Sequence, residues 1–343
     1  MLVDGRWNGD WQPVQAKDDE GRFVRQISSF RNWITPTGEA GPTGEGGFKA
    51  ESGRYHLYVA YICPWASRTL MVRALKGLNE HISVSVVNPV LSEQGWQFGG
   101  APDSKVAGDS DSLNGHKYLH QLYTQVDPRF TGRATVPVLW DKLRQVIVNN
   151  ESADIIRMLN TAFDHLTDSA LNPALDLYPE GLHQAIDSLN ERLYHELNNG
   201  VYKVGFATSQ FAYEEAYQGI FSLLDELEQT LSDGRSYLLG EQLTESDIRA
   251  FVTLVRFDVA YYGLFKCNRE LIAQKPQLQA YLQRIYALDG IAATVNIEHI
   301  KQGYYSIKAL NPTGIVPVGP RLAYEFSKEF KSEHKYEFKT DFR

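Results

Sequence analysis

YHLYVAYICPWASRTLMVRALKGL, residues 55–78, changes its hydrophobic period partway along, and that change sets the fold. Tyr55 to Ala60 is a run of strand formers, whereas from Pro64 onward Ala66, Leu70, Ala74 and Leu78 recur every four residues, the spacing of one helical face. Pro64 suits a first helical position, where its missing N–H has no intrahelical partner to lose. The stretch therefore predicts strand, short loop and helix, with Cys63 at the junction. Ala66 stands where a second cysteine would complete a C-x-x-C pair.

Working outward, ISVSVVN (82–88) supplies a second strand and completes a β-α-β unit. Leu119, Leu122, Tyr123 and Val126 mark a helix, TVPVLWD (135–141) and QVIVNN (145–150) two more strands, and ESADIIRML (151–159) a helix with acidic residues at its start. A polar, Gly-containing insertion lies between, at roughly 92–112. Beyond Asn172-Pro173 the strand signals fade: Ile186, Leu189, Leu193 and Leu197 describe one helical face, and Tyr213 through Leu231 a longer one. In LTESDIRAFV, Thr244 and Asp247 stand three apart before an apolar run, a capping-box arrangement with Asp for the commoner Glu.

The sequence thus divides into an extension (1–50), an α/β domain (51–170), an all-α domain (171–310) and a C-terminal extension (311–343). Trp7, Trp11, Phe30 and Trp33 are the expected anchors of the first extension. Its glycine-rich GEAGPTGEGG (38–47) is an expected irregular loop, and NPTGIVPVGP (311–320) an expected extended coil.

A net charge of −8 argues against nucleic acid or an anionic membrane as partner. IRAFVTLVRFDVAYYGLF (248–265) is interrupted by Arg249, Arg256 and Asp258, and MLVDGRWNGDW lacks the apolar core of a secretory signal, so a soluble, cytoplasmic protein is expected. Two cysteines far apart, Cys63 and Cys267, indicate neither a disulfide framework nor a cysteine-based zinc site.

Lowering a thiol from about 8.5 to about 6 takes roughly 3.4 kcal/mol, and a helix dipole supplies about 0.3 to 1. Main-chain donors at Trp65 and Ala66, or a nearby cation, must supply the rest, and Ser67 is a candidate donor. Without a resolving cysteine, the sulfur reacts with a thiol brought to it. The bland alternative is a structural cysteine at a strand-helix junction. Val136-Pro137, at a strand start after the β-α-β unit, is where a thioredoxin-like domain keeps a cis proline beside its thiol, the alternative being a trans proline on an edge strand. Glu151 and Ser152 at the next helix start suit an ammonium and a carboxylate group, or simple helix capping.

The lone cysteine, the VP, the ES and the T-x-x-D cap resemble the cytosolic glutathione transferases: a thioredoxin-like N-terminal domain followed by an all-helical C-terminal domain. More narrowly, SSFRNWIT (28–35), GRYHLYVAYICPWASR (53–68), GRATVPVLWD (132–141), NNESADIIRM (149–158), NNGVYKVGFA (198–207) and HIKQGYYSIKALNPTGIVPVGP (299–320) resemble the glutathionyl-hydroquinone reductases, the xi class.

The resemblance implies a homodimeric enzyme that reduces S-glutathionyl-hydroquinones through a Cys63–glutathione mixed disulfide, with glutathione as co-substrate and no metal, flavin or nicotinamide. It places glutathione on Trp96, Arg133, Val136, Glu151 and Ser152, with Arg129 a rival for Arg133. Tyr194, Tyr202, Tyr261 and Tyr304 are the candidates for the aromatic acceptor, Tyr194 and Tyr304 also for proton donation. The rivals are an omega-like transferase with thiol transfer or dehydroascorbate reduction, and a noncatalytic binding module of the same fold. An intact Cys63, Val136-Pro137 and Glu151-Ser152 speak against the last.

Overall fold

A computed structural model of the chain describes residues 1–9, 16–100, 106–167 and 175–322. A short antiparallel ribbon, β1 (Leu2–Val3) and β2 (Arg6–Trp7), precedes a four-stranded sheet of β3 (Tyr55–Val59), β4 (Ser83–Val86), β5 (Val138–Asp141) and β6 (Val146–Asn149). Strand order is β4-β3-β5-β6, with β3 and β4 parallel and the other pairs antiparallel. All five residues of β3 are buried, His56 among them with its Nδ1 paired to Ser83 Oγ at 2.7 Å, so the strand lacks the alternation of a half-exposed one. Parallel neighbours require a crossover, and α1 (Pro64–Leu75) supplies it. The predicted β-α-β unit is therefore present, followed by α2 (His120–Val126) and α3 (Ser152–Thr161).

The second half is helical throughout: α4 (His183–Arg192), α5 (Gly200–Gly205), α6 (Gln210–Leu231), α7 (Glu245–Arg256), α8 (Pro276–Tyr286) and α9 (Ile297–Tyr305). The T-x-x-D cap forms as read, the Asp247 carboxylate accepting from the Thr244 N–H at 2.8 Å and its hydroxyl at 3.0 Å. The face predicted from Ile186 to Leu197 departs from a uniform α-helix. After α4 the chain widens into a π-helical segment, Leu193–Asn198, and a second one, Phe257–Tyr261, follows α7. Spacings of three and four do not register the extra residue per turn. Each π segment carries one candidate tyrosine.

The first extension is seated on both halves. Trp7 Nε1 donates to the Glu93 carbonyl at 2.8 Å, and Phe30 packs on Tyr123 and Phe130. Trp33 Nε1 donates to Thr43 Oγ1 at 2.8 Å, within the extension itself. Residues 20–30 run between the halves as a strap. At one end Ser209 Oγ donates to the Glu20 carbonyl at 2.7 Å and Arg22 pairs with Glu215 of α6 at 2.6 Å. At the other, the Phe30 and Asn150 backbones are joined through Asn150. Residues 38–47 hold no regular element, and Gly38, Gly44 and Gly47 adopt the positive φ that favours glycine. Residues 311–320 form the expected coil, with Lys301 Nζ donating to the Val318 carbonyl at 2.8 Å. Trp11, the Asn172-Pro173 junction and the chain beyond 322 lie outside the described residues. Among those described, no helix is long and apolar enough to cross a membrane.

Candidate active site

Cys63 is the N-cap of α1, and its Sγ accepts from the Ala66 N–H at 3.5 Å. On its other side the thiol donates to the Val136 carbonyl at 3.6 Å. The Val136-Pro137 peptide is cis. Tyr123 holds this loop from behind, its hydroxyl donating to the Thr135 carbonyl at 2.8 Å and accepting from Asn150 Nδ2 at 3.2 Å.

A cation that sequence reasoning missed grips the cysteine loop from the helical half. Arg256, at the end of α7 and only 1% exposed, donates to the Ile62 carbonyl at 3.0 Å, the Tyr61 carbonyl at 2.7 Å and Ser67 Oγ at 2.6 Å. Ser67, expected as a donor to the sulfur, is the acceptor of this arginine. The sequence also led to an expectation of a lowered thiol. Burial instead pushes Cys63 up; the Ala66 N–H, Arg256, the Trp65 N–H and Arg25 pull it down, in that order, without cancelling the effect. The walls that admit a ligand also strip water from the sulfur.

Cys63 is half-buried and lines a cavity of about 300 Å³, at the lower end of small-molecule sites. Arg133, Val136, Glu151 and Ser152 of the first domain line it too, as does Trp96 from the insertion. Glu151 caps α3, its carboxylate accepting from the Ala153 N–H at 3.1 Å and from Ser28 Oγ at 2.9 Å. Ser152 Oγ lies 3.4 Å from both Glu151 Oε1 and Arg68 Nη1. Arg133 is drawn down to about 10 by burial first and by the charge of Arg25 next. Arg129 is exposed and not part of the lining.

From the helical half, Tyr194, Tyr202 and Tyr304 face the cavity, whereas Tyr261 stands behind them, fully buried. The Tyr304 hydroxyl is 2.7 Å from that of Tyr202 and 2.6 Å from that of Tyr261. Burial pushes all three phenols up, so they remain protonated hydrogen-bonding groups at neutral pH. Phe23, Arg25 and Ile27 complete the wall from the strap. They carry no periodic signal, and the nearest matching block, SSFRNWIT, begins only at Ser28. Among the described residues, no group of three or more His, Cys, Asp or Glu side chains is placed to hold a metal ion.

Residues 62–162 match the glutathione S-transferase N-terminal domain, and residues 210–284 the glutathione S-transferase C-terminal domain. The glutathionyl-hydroquinone reductase YqjG of Escherichia coli K12 is 52% identical over 321 residues, covering 93% of this chain and 95% of that protein. The glutathionyl-hydroquinone reductase PcpF of Sphingobium chlorophenolicum is 49% identical, covering 93% and 96%. Glutathione-bound YqjG superposes with a TM-score of 0.84 at 49% identity, covering 95% of this chain and 97% of that one. The xi glutathione S-transferase of Phanerochaete chrysosporium gives 0.83 at 50% identity, covering 89% and 94%. With about half its residues shared along nearly its whole length, and an unpaired Cys63 capping α1 beside a cis proline, the chain belongs to the glutathionyl-hydroquinone reductases, the xi class of the glutathione transferases.

Proposed function

We propose that this protein reduces S-glutathionyl-hydroquinones to hydroquinones by two exchanges at Cys63. The acceptor ring reacts from its keto tautomer, in which the carbon bearing sulfur is tetrahedral and lies beside a carbonyl. The Cys63 thiolate attacks the glutathione sulfur. A sulfur–sulfur bond forms, the carbon–sulfur bond breaks, and its electron pair enters the carbonyl to leave a phenolate oxygen. That oxygen takes a proton, for which Tyr194 and Tyr304 are the nearby donors. A second glutathione, as thiolate, then attacks the mixed disulfide, releasing oxidised glutathione and the Cys63 thiolate. Over the cycle one free thiol and the thioether sulfur of the adduct end as a disulfide, each giving up one electron, and the ring carbon that held sulfur is reduced by two.

The glutathionyl group is assigned to the first-domain wall. The Val136 backbone pairs with its cysteinyl part, Ser152 and the α3 N-terminus take the γ-glutamyl carboxylate, and Glu151 takes the ammonium. Arg133 and Trp96 cover the glycine end. Because burial holds the thiol up, turnover climbs with pH through and beyond the ordinary thiol range of about 8.5. The protein acts as a cytoplasmic homodimer.

The supporting observation is a single unpaired thiol set between a helix-start amide and the carbonyl of a cis Val-Pro, on a cavity with apolar and ionic walls. The test is intact-mass spectrometry after incubation with 2-S-glutathionyl-hydroquinone and no added glutathione. One glutathione on Cys63 is expected, cleared by added glutathione. Hydroquinone release with no adduct overturns the covalent route. Yeast relatives named omega-like keep a second reading open, and faster turnover of dehydroascorbate than of the hydroquinone adduct would favour it.

A further inference from the structure

Arg25 reaches the cavity from the strap, a segment that belongs to neither domain. Its guanidinium lies over the Trp65 ring at 4.5 Å and the Tyr202 ring at 5.0 Å, and its Nε donates to Asn199 Oδ1 at 2.5 Å. These contacts fix the plane and direction of the group. Among the described residues its two Nη groups meet no acceptor and no carboxylate pairs with it. A half-buried cation with unused donors, stacked in place inside a ligand cavity, is set up for an anion.

The charges of the glutathionyl group do not call for it. Two carboxylates and one ammonium are met by Ser152 with the α3 N-terminus, by Arg133, and by Glu151 in the assignment above. Arg133 stands on the loop of the cis proline, in the first domain, whereas Arg25 is held by Asn199 and Tyr202 of the helical half. Trp65, beside Cys63 on α1, covers one face of Arg25, while Asn199 and Tyr202 hold it from the helical half, so its unused donors lie on the side of the thiol where the tyrosines stand.

We propose that Arg25 sets acceptor specificity: its unused Nη groups receive the oxygen anion that forms on the ring as the carbon–sulfur bond breaks. It favours glutathionyl adducts of oxygen-bearing aromatic rings over ringless glutathione disulfides, which release a thiolate at sulfur and place no anion there. The inference rests on the proposed reduction. It adds a residue from outside both family domains to the acceptor half of the site.

The test compares Arg25→Gln and Arg25→Lys with the unaltered protein on two substrates: 2-S-glutathionyl-hydroquinone, and bis(2-hydroxyethyl) disulfide with glutathione. Loss of an oxyanion donor costs about 10²- to 10³-fold in a closed site, so in this open cavity Arg25→Gln is expected to lower kcat/KM for the hydroquinone adduct by about 10- to 100-fold. The disulfide reaction falls at least about tenfold less, the KM for glutathione stays within about twofold, and Arg25→Lys recovers part of the loss as a point charge. Equal losses on both substrates overturn the proposal, because Arg25 then serves the Cys63 anion common to both. A raised glutathione KM alone overturns it in favour of the glycine end, and unchanged kinetics overturn it outright. Failure of the unaltered protein to reduce the hydroquinone adduct, with the disulfide still turned over, removes the reductase reading itself and this proposal with it. Matching thermal melting curves separate these outcomes from misfolding.

Discussion

The two cysteines of this chain meet the same force and opposite surroundings. Burial pushes both thiols up, but at Cys267 nothing opposes it: the side chain is fully enclosed, and burial is the one cause acting on it. At Cys63 two main-chain amides and two arginines pull the other way, and the sulfur opens onto a cavity. What sets Cys63 apart from Cys267 is less its resting ionisation than the donors around it and what can reach it.

The contrast breaks most sharply at turnover. Cys63→Ser is expected to lower steady-state reduction of 2-S-glutathionyl-hydroquinone by about a thousandfold or more, as loss of a nucleophile does. Cys267→Ala should stay within about twofold, and a comparable loss there would erase the distinction. A medium effect is expected at Arg256. Arg256→Met removes a cation that favours the Cys63 anion, so the thiol rises further and iodoacetamide labelling at pH 7 slows by about tenfold for each unit of rise. Arg256→Lys keeps the charge and most of the rate, and Cys267 stays unlabelled at every pH in the folded protein. Labelling of the unaltered protein should still be climbing at about pH 8.5, because burial holds the thiol above its ordinary value; a plateau at pH 7 would contradict the balance of effects described. The smallest change sharpens the picture at the phenols. Tyr261→Phe deletes one hydrogen bond to Tyr304, worth about 0.5–1.5 kcal/mol, so kcat falls by roughly two- to tenfold while the KM for glutathione holds.

The elements that position Cys63 were legible because local chemistry dictates them. The strand-to-helix change of period, Pro64 after the cysteine, the Val-Pro before β5 and the Thr244–Asp247 cap are each readable within ten residues. Val136, Glu151 and Ser152 came together on the cavity for the same reason, since they stand at or just before the starts of β5 and α3, whereas Trp96 and Arg133 reach it from loops and were named through the resemblance alone. Arg256 and Arg25 were not legible. Their partners are far away in sequence, Ser67 being 189 positions from Arg256 and Asn199 174 positions from Arg25, and neither arginine carries a local signature. Tyr261, named with the other tyrosines through the resemblance, stands one layer behind the cavity wall on a π-helical turn, a depth that no short stretch of sequence reports. The direction of the Cys63 thiol was missed because loss of water is a property of the assembled cavity walls rather than of any short stretch.

Residues 20–30 have a consequence for how the chain is made. Their partners at one end, Asn199, Ser209 and Glu215, are synthesised long after them, so the strap finds its resting place only once that helical region exists. Until then the cavity also lacks Tyr194, Tyr202 and Tyr304, and Arg25 lacks the residues that seat it. The timing of translation thus keeps a half-made polypeptide from presenting a finished catalyst.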